Sequence, residues 1–153
     1  MSTQIHEPGE GIRTIDIGGS ITIAKADGAT TGEAFAVAET TLLPGGFVPP
    51  LHLHREIAEA LYVLSGRLDV QVGDDRRIAV PGTFVGIPAG VAHTMSVAGE
   101  EPVRMLMIVS NPARALEMID TLERAFADGE PDPETAGRLL AQIDMEVLAP
   151  AAS

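Results

Sequence analysis

Short apolar, β-branched runs separated by glycine-marked turns fill the first two thirds of the chain, and two stripes of helical period follow. Ser20 to Lys25, Phe35 to Leu42, Ala60 to Leu64, Leu68 to Val72, Ile78 to Val80, Phe84 to Ile87, His93 to Val97 and Val103 to Val109 read as strands. Gly28, Gly32, Gly45-Gly46, Gly73-Asp74-Asp75 and Gly99 mark the turns. Such even spacing predicts an all-β unit, an antiparallel sandwich or small barrel. Ala60-Leu61-Tyr62-Val63-Leu64 and Met105-Leu106-Met107-Ile108-Val109 are apolar on both faces. Strands of that kind need cover on both sides, from the opposite sheet on one and from a helix or a second subunit on the other.

Beyond Ser110 the period changes. Asn111 is placed to cap a helix that begins at Pro112, and Leu116, Ile119, Leu122 and Phe126 recur at helical spacing until Gly129. Asp132-Pro133 repeats the start signal, with Ala136, Leu139, Leu140 and Ile143 as a second stripe. The pair is expected to pack on the barrel wall, the alternative being a lid over its mouth. The organisation predicted is an N-terminal arm at 1–19, a barrel at 20–110 and a helical extension at 111–150.

Composition narrows the function classes. A chain of 153 residues can bury one substantial core. Its net charge of -12 and its lack of clustered Lys or Arg argue against nucleic acid as a partner. With no cysteine, disulfide and thiolate chemistry are excluded, and imidazole and carboxylate remain as the strong metal ligands. The opening residues lack the basic and apolar regions of a signal peptide, and no apolar run is long enough to span a bilayer. A cytoplasmic protein with no membrane partner is expected.

Three of the four histidines fall in two short motifs. In His52-Leu53-His54 the two imidazoles share one face of a strand, because side chains at i and i+2 point the same way. Glu59 has the opposite parity, so Arg55-Glu56-Ile57-Ala58 is expected to be a hairpin that resets the alternation. His93 follows the turn signals Pro88 and Gly90 and can supply a fourth ligand. His6 stands in the polar leader without partner residues.

These residues resemble the two motifs of the cupin superfamily. Gly46, His52, His54, Glu59 and Gly66 fit the first, and Gly82, Pro88, Gly90 and His93 fit the second in register. Val97 stands where the family pattern closes on Asn, a residue that is not a metal ligand there. The match runs from Gly46 to Val97, about a third of the chain, and the fifteen residues from Arg67 to Pro81 between the motifs are typical of compact microbial members. The resemblance implies a jelly-roll, or double-stranded β-helix, barrel. It also implies one divalent transition metal ion held by His52, His54, Glu59 and His93. Donors of this kind suit iron, nickel, cobalt, manganese, copper or zinc. The ending from Asp132 to Pro150 is similar to the tails of small bacterial quercetinase-like cupins.

Residues on the same face as the ligands predict the pocket. Leu61 and Val63 share the parity of Glu59, and Met95 and Val97 that of His93. Phe47 and Phe84 are candidate walls, and Arg104 is the candidate inward cation. An apolar pocket of this kind suits an aromatic, flavonol or polyketide-like small molecule better than a sugar phosphate. The function expected is a metal-dependent dioxygenase of quercetinase-like kind, with Glu59 taking a substrate hydroxyl proton. Alternatives are a polyketide cyclase using the metal as Lewis acid and a non-catalytic small-molecule binder. The strands apolar on both faces predict a homodimer.

Overall fold

The computed structural model describes residues 3–148. Its elements run β1 (Arg13–Ile17), β2 (Ser20–Ala26), α1 (Gly28–Thr31), β3 (Ala36–Leu42), β4 (His52–Leu53), β5 (Glu59–Ser65), β6 (Leu68–Val72), β7 (Asp75–Ala79), β8 (Phe84–Ile87), β9 (His93–Val97), β10 (Val103–Val109), α2 (Pro112–Ala125), α3 (Pro133–Leu140) and β11 (Glu146–Val147). Two antiparallel sheets face each other as a jelly roll, in the orders β1-β2-β3-β10-β5-β8 and β11-β4-β9-β6-β7. No helix of the described residues is long and apolar enough to cross a membrane.

The inward positions follow the period-two rule. Leu42, Leu61, Val63, Leu68, Val70, Ala79, Ile87, Val103 and Met105 form one buried cluster between the sheets. A second cluster joins Ile15 and Ile17 of β1 to Met118 and Leu122 of α2 and to Met145. Burying each large aliphatic side chain of these clusters contributes about 1.5–3 kcal/mol. Residues 13–17, expected in an N-terminal arm, are therefore sheet: Ile15 and Ile17 alternate inward with Thr14 and Asp16 outward, and all five residues pair with β2. At the other end, residues 149–150 of the expected extension lie outside the described residues.

Two local expectations are corrected. Arg55 to Ala58 is a crossover and not a hairpin: β4 pairs with β9 and β11 in one sheet, whereas β5 pairs with β8 and β10 in the other. Buried Ile57 pins that crossing. Asn111 does not cap α2 through its side chain; it takes a left-handed conformation (φ 51°), which asparagine tolerates, and lets the chain turn into Pro112. Asp132 does cap α3, accepting from the amides of Glu134 and Thr135 at 3.0 Å each.

Helix α2 is fastened by charge as well as by packing. Arg13 of β1 reaches Asp120 at 2.7 Å and also pairs with Glu123, one turn further along the helix. The pairs are half-exposed, so apolar contacts with Ile15 and Ile17 contribute most of the attachment.

Candidate metal centre

The jelly roll brings the two motifs to one place. His52 and His93 are directly opposed residues of β4 and β9, so both imidazoles project from the same face. His54 follows one step along, where β4 has ended. Glu59 opens β5 in the facing sheet and points inward with Leu61 and Val63. The loop Pro88 to Gly90 is tied to the first motif, since the Gly90 amide donates to the His54 carbonyl at 2.6 Å. Gly90 there has φ +82°, a conformation that side chains oppose.

All four side chains are buried. One ring nitrogen from each of His52, His54 and His93 lies within 4.8 Å of the others. Glu59 completes the group, its carboxylate oxygens 3.2 Å from His93 Nε2 and 3.6 Å from His54 Nε2. Each histidine uses its Nδ1 on a backbone carbonyl: His52 on Pro50 at 2.7 Å, His93 on Val91 at 3.0 Å, and His54 on Asp144. An Nδ1–H donor leaves the Nε2 lone pair free to ligate. His93 Nε2 is buried without a hydrogen-bond partner, one of two such side-chain atoms among the described residues. A buried unpaired nitrogen costs about 1–3 kcal/mol unless something binds it. The donor set, its convergence and that orphaned atom together fit a divalent transition ion.

Electrostatics favour the ligating forms of His52 and Glu59. Burial, with the neighbouring imidazole of His93 adding to it, lowers the His52 pKa to about 4, so this ring is neutral at neutral pH. Burial acts to raise the Glu59 pKa, yet the three imidazoles outweigh it and the net shift is downward, keeping the carboxylate ionised. For His93, burial acts to lower the pKa and the adjacent Glu59 carboxylate overcomes it, giving a net rise.

The cluster opens into a cavity of about 470 Å³. Its walls include Ile15, Ile17, Phe47, Met95, Met105 and Met107, and α2 roofs it with Ala115, Met118, Ile119 and Leu122. The helix is thus packed on the barrel and also closes the cavity. Thr22 and Thr40, whose hydroxyls are 3.1 Å apart, bring polar groups to this apolar wall. Arg13 at the rim is already paired with Asp120 and Glu123.

Of the seven pocket residues expected from sequence, Phe47 and Met95 line the cavity. Leu61 and Val63 do point inward, but each two-residue step descends roughly 6.6 Å along a strand. They are therefore wholly buried in the core beneath the site. Val97 packs against that same core. Phe84 is 66% exposed, because Val85 and Ile87 hold the inward face of β8. Arg104 lies on the outer face of β10 and pairs with Glu39 at 2.6 Å, while Val103 and Met105 face inward. The residues missed are those of β1, β2, β3 and α2; the inward alternation of Ile15 and Ile17 and the stripe of Met118 and Leu122 carried the signal.

Residues 38–109 match the cupin domain family, and the two sheets and the motif geometry show this part of the chain to be a cupin domain. Over 88 residues it is 35% identical to quercetin 2,3-dioxygenase of Bacillus subtilis (strain 168), which covers 56% of this chain and 25% of that protein. It is also 30% identical over 84 residues to the xanthan biosynthesis protein XanB of Xanthomonas campestris pv. campestris (strain B100), covering 55% of this chain and 18% of XanB. The chain thus spans a quarter or less of the length of these curated relatives. Among solved structures, a predicted oxalate decarboxylase of Thermotoga maritima superposes with a TM-score of 0.60 at 17% identity, covering 71% of this chain and 99% of that one. The Cnp3 cupin domain of Schizosaccharomyces pombe gives 0.56 at 16% identity, covering 82% and 80%. These two share the fold.

Proposed function

We propose that His52, His54, Glu59 and His93 hold one divalent transition ion, and that the protein is a cytoplasmic dioxygenase acting on an aromatic, flavonol or polyketide-like molecule. The observation that carries this reading is the buried cluster of three imidazoles and a carboxylate opening on an apolar cavity whose one lining cation, among the described residues, is already paired. The similarity to a quercetin 2,3-dioxygenase supports the substrate class.

When bound, a redox-active ion supplies the electron transfer that dioxygen chemistry needs, whereas zinc supplies only polarisation. The chain's own residues prepare the substrate. The apolar walls and the α2 roof exclude water and take up a flat hydrophobic body. Glu59, ionised and buried, accepts the proton of a substrate hydroxyl on a carboxylate oxygen. The Thr22 and Thr40 hydroxyls offer hydrogen bonds to the far end of the molecule.

Oxygen uptake tests the assignment. Protein loaded with iron, nickel, cobalt or manganese should consume oxygen with at least one flavonol or polyphenolic polyketide, and zinc-loaded protein should not. Cyclisation without oxygen uptake, equally supported by zinc, would move the assignment to a cyclase. Tight binding without product under every metal would leave a binding protein.

The assembly proposed is a two-fold dimer through the outer face of the six-stranded sheet. Tyr62 pairs across strands with Leu106 on one side and Phe84 on the other, and Leu64 and Ile108 extend the same exposed apolar patch. Light scattering at micromolar concentration should give twice the chain mass, and Tyr62→Glu should halve it. A single-chain mass for the wild type would count against the dimer.

A further inference from the structure

Two of the three clustered histidines find their Nδ1 partners locally. His52 uses the Pro50 carbonyl and His93 the Val91 carbonyl, each two residues earlier in the chain. His54 is different. Its Nδ1 meets the backbone carbonyl of Asp144, ninety positions further on, in the segment that follows α3. The Asp144 carboxylate also accepts from the Arg55 amide at 2.7 Å and the Glu56 amide at 2.9 Å, the two residues directly after His54.

The rest of this segment is laid along the first motif. β11 pairs antiparallel with β4, placing Glu146 opposite Leu53 and Val147 opposite His52. The Leu148 amide donates to the Leu51 carbonyl at 2.8 Å, and Arg55 pairs with Glu146. Met145, between the two sets of contacts, is buried against the cavity.

The geometry points to Asp144 as a positioning residue of the metal centre and to residues 144–148 as a strap whose docking is coupled to metal loading. This rests on the reading of His52, His54 and His93 as metal ligands. One residue acts on His54 in two ways. Its carbonyl selects the Nδ1–H tautomer, which presents the Nε2 lone pair to the ion. Its carboxylate holds the two amides that follow, which fixes the backbone from which the ring projects. Partners of this outer kind typically change metal affinity 10–100-fold when removed. Coupling is reciprocal, so an ion that favours the docked strap is itself favoured by docking.

The test uses the full chain, Co²⁺ as probe, and three variants. Asp144→Ala keeps the backbone carbonyl but frees the Arg55 and Glu56 amides whose bonds to the carboxylate hold it against His54, and it should weaken Co²⁺ binding about 10–100-fold and alter the visible cobalt spectrum. Asp144→Asn keeps one carbonyl oxygen as acceptor and should recover part of the affinity. Glu146→Gln removes only an exposed ion pair and keeps the β4–β11 backbone pairing that docks the strap, so it should leave affinity and spectrum unchanged. Amide exchange supplies a readout apart from affinity: Co²⁺ should slow exchange at Arg55 and Glu56 in the wild type and not in Asp144→Ala. The proposal is overturned if folded Asp144→Ala binds Co²⁺ as the wild type does. It is equally overturned if Glu146→Gln loses as much affinity, since the strap would then be scaffold only. Should Asp144→Ala fail to fold, Asp144→Asn decides by the same criteria. If the wild type takes up no Co²⁺, the metal reading fails by itself, and imidazole nitrogen NMR decides the positioning. An Nδ1–H tautomer at His54 in the wild type sustains it, and Nε2–H there overturns it.

Discussion

The His93→Ala variant is expected to lose both stoichiometric binding of a divalent transition ion and turnover. His93 brings the one nitrogen of the cluster that is buried with no hydrogen-bond partner, and it stands directly opposite His52 across the β4–β9 pair. Removing an outer hydrogen-bond partner of a ligand already costs about 10–100-fold in affinity, so loss of the ligand itself should exceed about 100-fold. Glu59→Gln separates the two roles. Three imidazoles remain, so the ion should still bind, while the lost general base should lower turnover by about 10²–10⁴-fold. Calorimetric titration and steady-state oxygen uptake on the two variants check this. Metal binding by His93→Ala equal to that of the wild type would remove the basis of the proposed function.

Leu61→Ala should cost about 2–5 kcal/mol of folding stability, read from denaturant unfolding of the metal-free protein. Leu61 has no exposed surface and sits at the centre of the core between the sheets. A loss of this size is a large share of the roughly 5–15 kcal/mol that holds a typical domain folded. Arg104→Ala, by contrast, should stay within about 0.5 kcal/mol, since it breaks one half-exposed pair with Glu39. Similar losses for the two variants would contradict the placement of Leu61 in the core and Arg104 on the outer face.

That pair of residues also shows where reading the sequence reaches its limit. Both were expected to line the pocket. Alternation correctly placed Leu61 with Glu59 on one face and Arg104 with Leu106 and Ile108 on another. It does not say how deep a position lies, nor which face of a strand apolar on both sides turns inward. Val103 and Met105 compete with Leu106 and Ile108 for the interior of β10, and only the packing of the facing sheet decides. The ligand cluster was legible because each motif carries its own geometry: a period of two in His52 and His54, and a glycine with positive φ before His93. The strands from Ser20 to Val109 were legible for the same reason, with boundaries shifted by one to three residues, the most at β7, which starts at Asp75 and not at Ile78. β11 has two residues, too few to show any period, and it exists because β4 supplies its backbone hydrogen bonds. β1 had a readable alternation in Ile15 and Ile17 but lies within a polar leader, and its apolar face makes sense only against α2.

The roof of the cavity has a different origin from its floor. His52, His54, Glu59 and His93 all lie within the stretch shared with other cupin domains, residues 38–109. Ile15, Ile17, Met118, Leu122 and Met145, which shape the space above them, lie outside it. Part of the cavity wall is therefore encoded apart from the donor cluster, while Phe47, Met95, Met105 and Met107 are encoded with it. Substitutions in β1 and α2 can reshape the space above the cluster without touching His52, His54, Glu59 or His93, so the volume of the cavity and its donor set can vary independently.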